Sequence, residues 1–140
     1  MNALVIYESL TGTTRRAAGL IAAQLEAAGV SARISPIANV DMAALAEADL
    51  VIVGSWTDGI VFFGQKPGRA ARLKTLPVMY GKRAAVYVTY AVDPGKAVSK
   101  LEDIVRDRGA DVIGGMAIRR NDLRTHVADF VDRLLAAVAA

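Results

Sequence analysis

Four hydroxyl side chains surround one glycine near the start of the chain. In "YESLTGTTRRA" (7–17), the hydroxyls follow an apolar run and precede a helical pattern, with no lysine, histidine or acid between positions 9 and 14. Backbone amides at a helix N-terminus, together with the positive end of its dipole, favour an anion, and Gly12 permits a tight turn. Hydroxyls that could donate to phosphate oxygens belong to Ser9, Thr11, Thr13 and Thr14. In the alternative, Thr13 or Thr14 only caps the helix.

The absence of a lysine from this loop indicates which kind of anion the loop can bind. A nucleotide-hydrolysing P-loop needs Gly-Lys followed by Ser or Thr, and neither "GKR" (81–83) nor "GKA" (95–97) completes that motif. No G-x-G-x-x-G dinucleotide turn is present either. A neutral, hydroxyl-lined loop suits a monophosphate that is held permanently and not cleaved.

Five apolar runs alternate with amphipathic helical patterns along 140 residues, which predicts one domain over residues 1–140. The runs cover 3–7, 30–37, 50–54, 83–91 and 111–118, and Pro36 favours an edge position for the second. We expect a long loop over 54–67 and a helix near 68–75. Five βα units indicate a three-layer α/β/α sandwich around a five-stranded parallel sheet. Ligands bind beyond the carboxyl ends of such strands, here at 8–14, 54–67 and 89–96.

The segment "VIYESLTGTTRRAAGLI" (5–21) resembles the signature of the flavodoxin family. A strand ends in Tyr7, the hydroxyl loop follows, and Ala18 and Ile21 fill the helical positions. The resemblance implies a flavodoxin-like fold with strand order 2-1-3-4-5, non-covalent FMN, and one- or two-electron redox chemistry. It also implies that the FMN phosphate contacts the four loop hydroxyls and the amides from Leu10 to Thr14, Gly12 included.

Two further loops are expected to clasp the flavin ring in this family. "GSWTDGIVFFG" (54–64) follows the third apolar run, and "TYAVDPG" (89–95) follows the fourth. Aromatic stacking of Trp56 and Tyr90 would shield the ring, whereas Phe62 and Phe63 are expected to pack at the core or rim. In the alternative, the loop aromatics only pack on the core. The predicted ring-binding residues are Ser55, Trp56, Thr57, Asp58, Gly59, Thr89, Tyr90, Ala91, Asp93 and Gly95.

The tripeptide "TDG" (57–59) suggests a redox-linked change in the backbone. In flavodoxins a turn in this loop can flip a peptide and offer its carbonyl oxygen to the protonated flavin N5. Gly59 permits the positive φ that one turn form requires. We therefore predict a flip at Asp58–Gly59 or at Thr57–Asp58, although the family usually has Gly before Asp.

The charge pattern departs from that of the acidic flavodoxins. The net charge is +3, and the stretch 66–83 carries six basic residues and no acid. This stretch is either a solvated face or a docking patch for an acidic redox partner. Basic residues near the flavin predict a less negative potential for its anionic reduced form, because opposite charge favours an ionised group. No known motif or aromatic platform for nucleic acid accompanies the charge.

Several other chemistries are not expected. The chain contains no cysteine, which excludes thiolate catalysis and disulfides. It has a single histidine, His126, so a histidine-based metal site is not expected. His126 is expected on the surface of the last helix, and Glu8 is expected to point away from the phosphate loop. The N-terminal residues match no signal peptide, and no apolar run approaches a membrane span, so a cytoplasmic location is expected.

The sequence therefore favours a small FMN-binding redox protein that exchanges electrons with a partner protein. One alternative is an enzyme of this fold, of the NAD(P)H:quinone reductase or menaquinone-dependent protoporphyrinogen oxidase type. Another is a flavodoxin-like interaction module without flavin. No catalytic residue stands out beyond the cofactor.

Overall fold

A computed structural model describes residues 1–60 and 63–140, with the backbone alone at Gly59, Ile60 and Phe63. The strands of this part of the chain are β1 (Asn2–Tyr7), β2 (Ser31–Pro36), β3 (Leu50–Ile60), β4 (Phe63–Pro67), β5 (Arg83–Tyr90) and β6 (Asp111–Arg119). Its α-helices are α1 (Thr13–Ala27), α2 (Met42–Glu47), α3 (Ala70–Leu73), α4 (Ala97–Asp107) and α5 (Leu123–Ala139).

Five strands form a parallel sheet in the order β2-β1-β3-β5-β6. Counted among the parallel strands alone, this is the predicted order 2-1-3-4-5, and the predicted three-layer fold is confirmed. Strand β2 lies at the edge of the sheet and ends at Pro36, which the missing proline N–H makes suitable for an edge.

Apolar residues on the two faces of the sheet form two separate cores. Along β1, Val5 and Tyr7 join a cluster with residues of α1 and α5, whereas Leu4 and Ile6 join a cluster with residues of α2 and α4. Successive side chains of a strand point to opposite faces. Strands that are covered on both sides therefore read as continuous apolar runs.

The prediction of a long loop over 54–67 is wrong, because most of this segment forms a β-hairpin. Strand β3 continues beyond the sheet to Ile60, and β4 returns antiparallel to it, with Thr57 opposite Pro67 and Asp58 opposite Lys66. Backbone groups of β3 that extend past β1 need partners, and β4 supplies them. The isolated turn predicted at 57–59 is therefore wrong as well: these residues lie in β3, with an irregular register between Asp58 and Ile60.

The helix predicted near 68–75 is a single short turn, α3, which starts after Arg69 in a left-handed conformation with φ of 51°. Phe62 lies outside the described residues, and so does the side chain of Phe63. Within the described residues, no helix combines the length and the apolar character that crossing a bilayer would need.

Candidate functional site

A cavity of about 180 Å³ opens at the carboxyl edge of the sheet, between the ends of β1, β3 and β5. It brings together residues from all three segments that the sequence placed at this edge. The lining residues are Leu10, Thr11, Thr13, Thr14, Trp56, Thr57, Thr89, Tyr90, Ala91 and Arg120. The two predicted aromatics thus lie in one cleft with three of the four predicted hydroxyl residues.

The loop between β1 and α1 presents the start of the helix to this cleft. Gly12 is the N-cap residue of α1 and has a left-handed φ of 96°, and among the described residues no side chain caps the helix. The first amides of a helix have no acceptor within it, so they are left for another acceptor. Ser9 turns its hydroxyl inward, where Oγ accepts a hydrogen bond from the Gly12 amide at 3.1 Å. The capping role considered for Thr13 or Thr14 is not observed.

Buried hydrogen bonds fix this loop to strand β5. The hydroxyls of Thr14 and Thr89 share a hydrogen bond of 3.0 Å, and both side chains are buried. The Tyr87 hydroxyl donates to the Thr14 carbonyl oxygen at 2.9 Å. Burial raises the pKa of Tyr87, and the nearby Tyr7 raises it further, so Tyr87 stays a donor. The loop between β1 and α1 and the end of β5 are therefore one connected unit.

Trp56 is held from behind by the chain that follows β4. The Gly68 amide donates to the Trp56 carbonyl oxygen at 2.7 Å, and a Cβ at Gly68 would overlap the indole ring. The guanidinium carbon of Arg69 lies 5.5 Å from the centroid of the indole ring, within the range of a cation–π contact. Gly68 and Arg69 thus fix the position of Trp56 in the cleft.

Glu8 anchors the same group and points away from the cleft lining. Its carboxylate accepts hydrogen bonds from Arg69 Nη1 at 2.8 Å and Arg72 Nη1 at 3.3 Å. Glu8 is only 4% exposed, so these two cations compensate a nearly buried charge. The carboxylate at the end of β1 is therefore neutralised by residues more than sixty positions away in the chain.

The loop after β5 contributes unevenly to the cleft. Tyr90 and Ala91 line it. Asp93 instead shapes the loop, since its Oδ1 accepts a hydrogen bond from the Gly95 amide at 2.9 Å. Gly95 has a φ of 52° and packs so closely on Gln65 of β4 that a Cβ would meet that side chain at 2.7 Å. Both residues support the cleft from outside.

Some predicted ring-binding residues are also absent from the lining. Ser55 is buried and donates to the Gly68 carbonyl oxygen at 2.8 Å, which ties β3 to the turn behind Trp56. Asp58 is exposed in the hairpin opposite Lys66. Only the backbone of Gly59 is described, as part of β3.

Arg120 lines the cleft and is not among the site residues predicted from the sequence. Its amide donates to the Tyr90 carbonyl oxygen at 2.8 Å, which connects the loops after β5 and β6. The available signal was its position directly after the fifth parallel strand, at the edge where ligands bind.

The basic stretch 66–83 does not form one surface. Arg69 and Arg72 pair with Glu8 near the cleft. Lys82 and Arg83 lie at the opposite, amino edge of the sheet, where they donate to the carbonyl oxygens of Ala48 and Val138, respectively. The run in the sequence is thus divided between the two ends of the molecule.

His126 has a structural partner on each side of its ring. Its Nδ1 accepts a hydrogen bond from the Arg119 amide at 2.8 Å, and its Nε2 lies 3.7 Å from Asp122. It lies on α5 and is only partly exposed. Across residues 1–60 and 63–140, no group of three or more potential metal ligands comes together.

Solved structures of flavodoxins have the same fold. An archaeal flavodoxin is 21% identical, with 95% of this chain and 98% of that chain covered at a TM-score of 0.67. Two-electron reduced flavodoxin from Megasphaera elsdenii is 19% identical over 91% and 98% of the chains, at 0.68. A cysteine-to-serine mutant of Pseudomonas aeruginosa flavodoxin is 18% identical over 100% of both chains, at 0.75.

The family comparison covers most of the chain. No curated protein sequence matches it. A family model described as the flavodoxin domain matches residues 4–129, which include the hydroxyl loop, the β3–β4 hairpin and the loop after β5. A flavin is the cofactor that this family implies, and the chain belongs to the flavodoxin family.

Proposed function

We propose that the protein binds FMN non-covalently in this cleft and exchanges electrons between the flavin and a partner protein. The observation that carries the proposal is the composition of one cavity. It joins the start of α1, with its neighbouring threonines, to the aromatic pair Trp56 and Tyr90. Membership of the flavodoxin family supports the same reading.

The residues at the helix start fit a phosphate group. The uncapped first turn of α1 offers amides to an anion, and Thr11 and Thr13 line the cleft beside it. Gly12 lets the backbone adopt its left-handed turn. The nearest acid, Glu8, is engaged by Arg69 and Arg72, so its charge is compensated and does not oppose a bound phosphate.

The remaining lining fits an aromatic ring system. Trp56 and Tyr90 supply flat apolar surfaces, and Thr57, Thr89 and Ala91 supply the short side chains around them. When bound, FMN supplies one- or two-electron chemistry, and the protein supplies orientation and electrostatics. In this arrangement Trp56 and Tyr90 exclude water from the ring faces, while Thr14 and Tyr87 hold the phosphate loop in place.

A backbone carbonyl oxygen near Thr57 is our candidate for accepting a hydrogen bond from the N5–H of the reduced flavin. Thr57 lines the cleft and Asp58 does not, which favours the peptide Thr57–Asp58 over Asp58–Gly59 for the predicted flip. Its test is the carbonyl stretching frequency of the Thr57 peptide, labelled with carbon-13 and compared between the oxidised and reduced protein. An unchanged band contradicts the flip.

The visible spectrum tests cofactor binding. We expect yellow protein as isolated, or flavin-free protein that takes up FMN in a 1:1 ratio. Replacing Thr14 by Val removes a buried hydroxyl and leaves the Thr89 hydroxyl unpaired, which should lower the free energy of unfolding by about 1–3 kcal/mol. Because the loop is then held less firmly, we expect FMN to bind about tenfold more weakly. The same change at the exposed Thr125 on α5 is the matched control and is expected to leave binding unchanged.

Three outcomes separate the alternatives. Protein that stays colourless in excess FMN contradicts the proposal and favours an interaction module. Steady turnover of NADPH with a quinone favours an enzyme over a carrier. Reduction by dithionite, followed by rapid oxidation by a protein acceptor but no NADPH turnover, supports the electron carrier.

A further inference from the structure

A group of arginines lies at the edge of the sheet where the cleft opens. Residues 9–25 and 119–128 together hold five arginines and one acid, Asp122, a net charge of +4 in a chain whose total is +3. All other residues together are thus slightly acidic. Among the described residues, none of the five forms an ion pair with an acid. The five are Arg15, Arg16, Arg119, Arg120 and Arg124, here called the arginine edge.

One of these arginines lines the cleft, and three others line a groove next to it. Arg15, Arg16 and Arg124 lie in the first turns of α1 and α5 and line a groove of about 380 Å³ with Gly12, Gly19, Leu20 and Ile34. Gly12 belongs to the same loop as Thr11 and Thr13, which line the cleft, and Arg120 lines the cleft itself. The groove and the cleft are therefore neighbours on the two sides of the phosphate loop.

Two exposed apolar side chains lie on the loops that flank the cleft. Leu10 is 61% exposed on the loop after β1, and Val92 is 68% exposed on the loop after β5. An apolar centre within a polar or charged rim is the usual anatomy of a protein–protein interface. The charged residues beside it are mostly arginines, a residue type that is enriched at interfaces and forms bidentate pairs with carboxylates.

We propose that the arginine edge is the docking surface for an acidic electron-transfer protein, which contacts Leu10 and Val92 over the cleft. The inference rests on the proposed function, because docking there brings the partner's redox centre next to the bound flavin. It replaces the stretch 66–83 as the docking site: Arg69 and Arg72 are both engaged by the carboxylate of Glu8, and Lys82 and Arg83 lie at the far edge of the sheet.

Charge reversal at matched positions tests the surface. One variant combines Arg15→Glu with Arg124→Glu on the arginine edge. Its control combines Lys74→Glu with Arg106→Glu, two exposed sites elsewhere with the same change in net charge. Dithionite-reduced protein is mixed in a stopped-flow instrument with ferricytochrome b5, an acidic acceptor, and separately with ferricytochrome c, a basic one. Each reaction is followed at low and at near-physiological ionic strength.

The expected results differ in sign between the two acceptors. At low salt, reversal of the arginine edge should slow electron transfer to the acidic cytochrome about tenfold or more and speed transfer to the basic one. The control should change either rate by less than about threefold, and salt should diminish all these differences. Equal rates for the two double variants with the acidic cytochrome overturn the proposal.

A second measurement separates this inference from the proposed function. Binding of ferricytochrome b5 to the flavin-free protein, followed by NMR chemical shifts, needs no FMN. Shifts confined to the arginine edge, Leu10 and Val92, and lost on reversal, support the docking surface even if the protein takes up no flavin. Shifts elsewhere, or none, overturn it. Binding to phosphatidylglycerol vesicles but not to the cytochrome, lost in the same variant, assigns the surface to a membrane and also overturns it.

Discussion

Arg69 is the residue at which the cation–π contact, the buried carboxylate and a strained backbone meet. Its φ of 51° is unusual for a residue with a side chain. The guanidinium contacts both Trp56, at 5.5 Å from the ring centroid, and Glu8, at 2.8 Å. Strain of this kind persists where the surroundings over-determine the conformation. We infer that these two contacts hold Arg69 in place and that Arg69 in turn fixes the indole.

Replacing Arg69 by Met tests this positioning role. We expect a loss of about 1–3 kcal/mol in the free energy of unfolding, because one bond to a nearly buried carboxylate is lost. Trp56 is the only tryptophan, so its fluorescence should shift to the red and lose anisotropy in the flavin-free protein.

Arg72→Met is the matched control for Arg69→Met. Arg72 makes the longer contact with Glu8, at 3.3 Å, and is not the guanidinium stacked on Trp56. It should lower stability without changing the Trp56 emission. Identical emission changes in both variants would show that loss of the ion pair, and not the stacking of Arg69, alters the environment of Trp56.

For single residues, the sequence predicts a role correctly where the evidence for it lies in the neighbouring residues. The hydroxyls of Thr11 and Thr13 could be assigned because they lie beside a helix start that has its own pattern. The positioning role of Arg69 could not be predicted, because its partner Glu8 lies 61 residues earlier and neither segment contains a pattern that indicates the contact. Ser55 was assigned to the ligand for its position alone, whereas its hydroxyl is used to hold the turn at Gly68.

Among the elements, strands β3 and β5 meet at a contact that only glycine allows. A Cβ at Gly54 would overlap the ring of Tyr87, whose hydroxyl donates to the Thr14 carbonyl oxygen and so holds the loop between β1 and α1. We expect Gly54→Ala to cost about 1–3 kcal/mol in the free energy of unfolding, as overpacking does, and to weaken FMN binding. Gly114→Ala on β6 is the control, because its Cβ would meet nothing within 4 Å. Equal stability of the two variants, measured by urea unfolding, contradicts the steric argument.

The buried Tyr87 hydroxyl also makes the free energy of unfolding depend on pH in the alkaline range. Burial raises the pKa of Tyr87 above its ordinary value of about 10. The folded state therefore keeps a proton that the unfolded chain releases. Stability from this group is complete below about pH 10 and falls by about 1.4 kcal/mol per pH unit above it. Tyr87→Phe should reduce this slope in urea unfolding between pH 9 and 11 (roughly one unit on either side of the ordinary pKa); an unchanged slope contradicts the assignment.

The strands and helices differ in how accurately they could be predicted from the sequence. The buried parallel strands were predictable because both of their faces are covered, which leaves continuous apolar runs such as Leu50–Val53. The β3–β4 hairpin was not, since its polar and glycine residues read as a loop. Its pairing is set by backbone groups of β3 that extend beyond the sheet, a requirement that appears only after the sheet is assembled.

For the whole molecule, the interaction with a charged partner depends more on where the charges lie than on the net charge. The sequence drew attention to the basic run 66–83, but the fold sends Lys82 and Arg83 to the edge opposite the cleft. It brings Arg15 and Arg124, which are 109 positions apart, into one groove. Because parallel strands align their carboxyl ends, residues that follow different strands gather at one edge, and net charge per segment cannot reveal this.

This asymmetry predicts the sign of the salt dependence of the flavin potential. Two-electron reduction adds one negative charge to the flavin beside an edge with a net charge of +4, and the positive field stabilises the reduced form. Added salt screens that field over about 8–10 Å, so the potential should become more negative as ionic strength rises; an acidic protein of the same fold would show the opposite trend. Arg15→Glu with Arg124→Glu changes the charge of this edge from +4 to 0, so it should lower the potential and largely abolish the salt dependence, whereas Lys74→Glu with Arg106→Glu should have a smaller effect. Redox titration with dithionite at two salt concentrations measures both, and a potential that rises with salt in the unmodified protein contradicts the prediction.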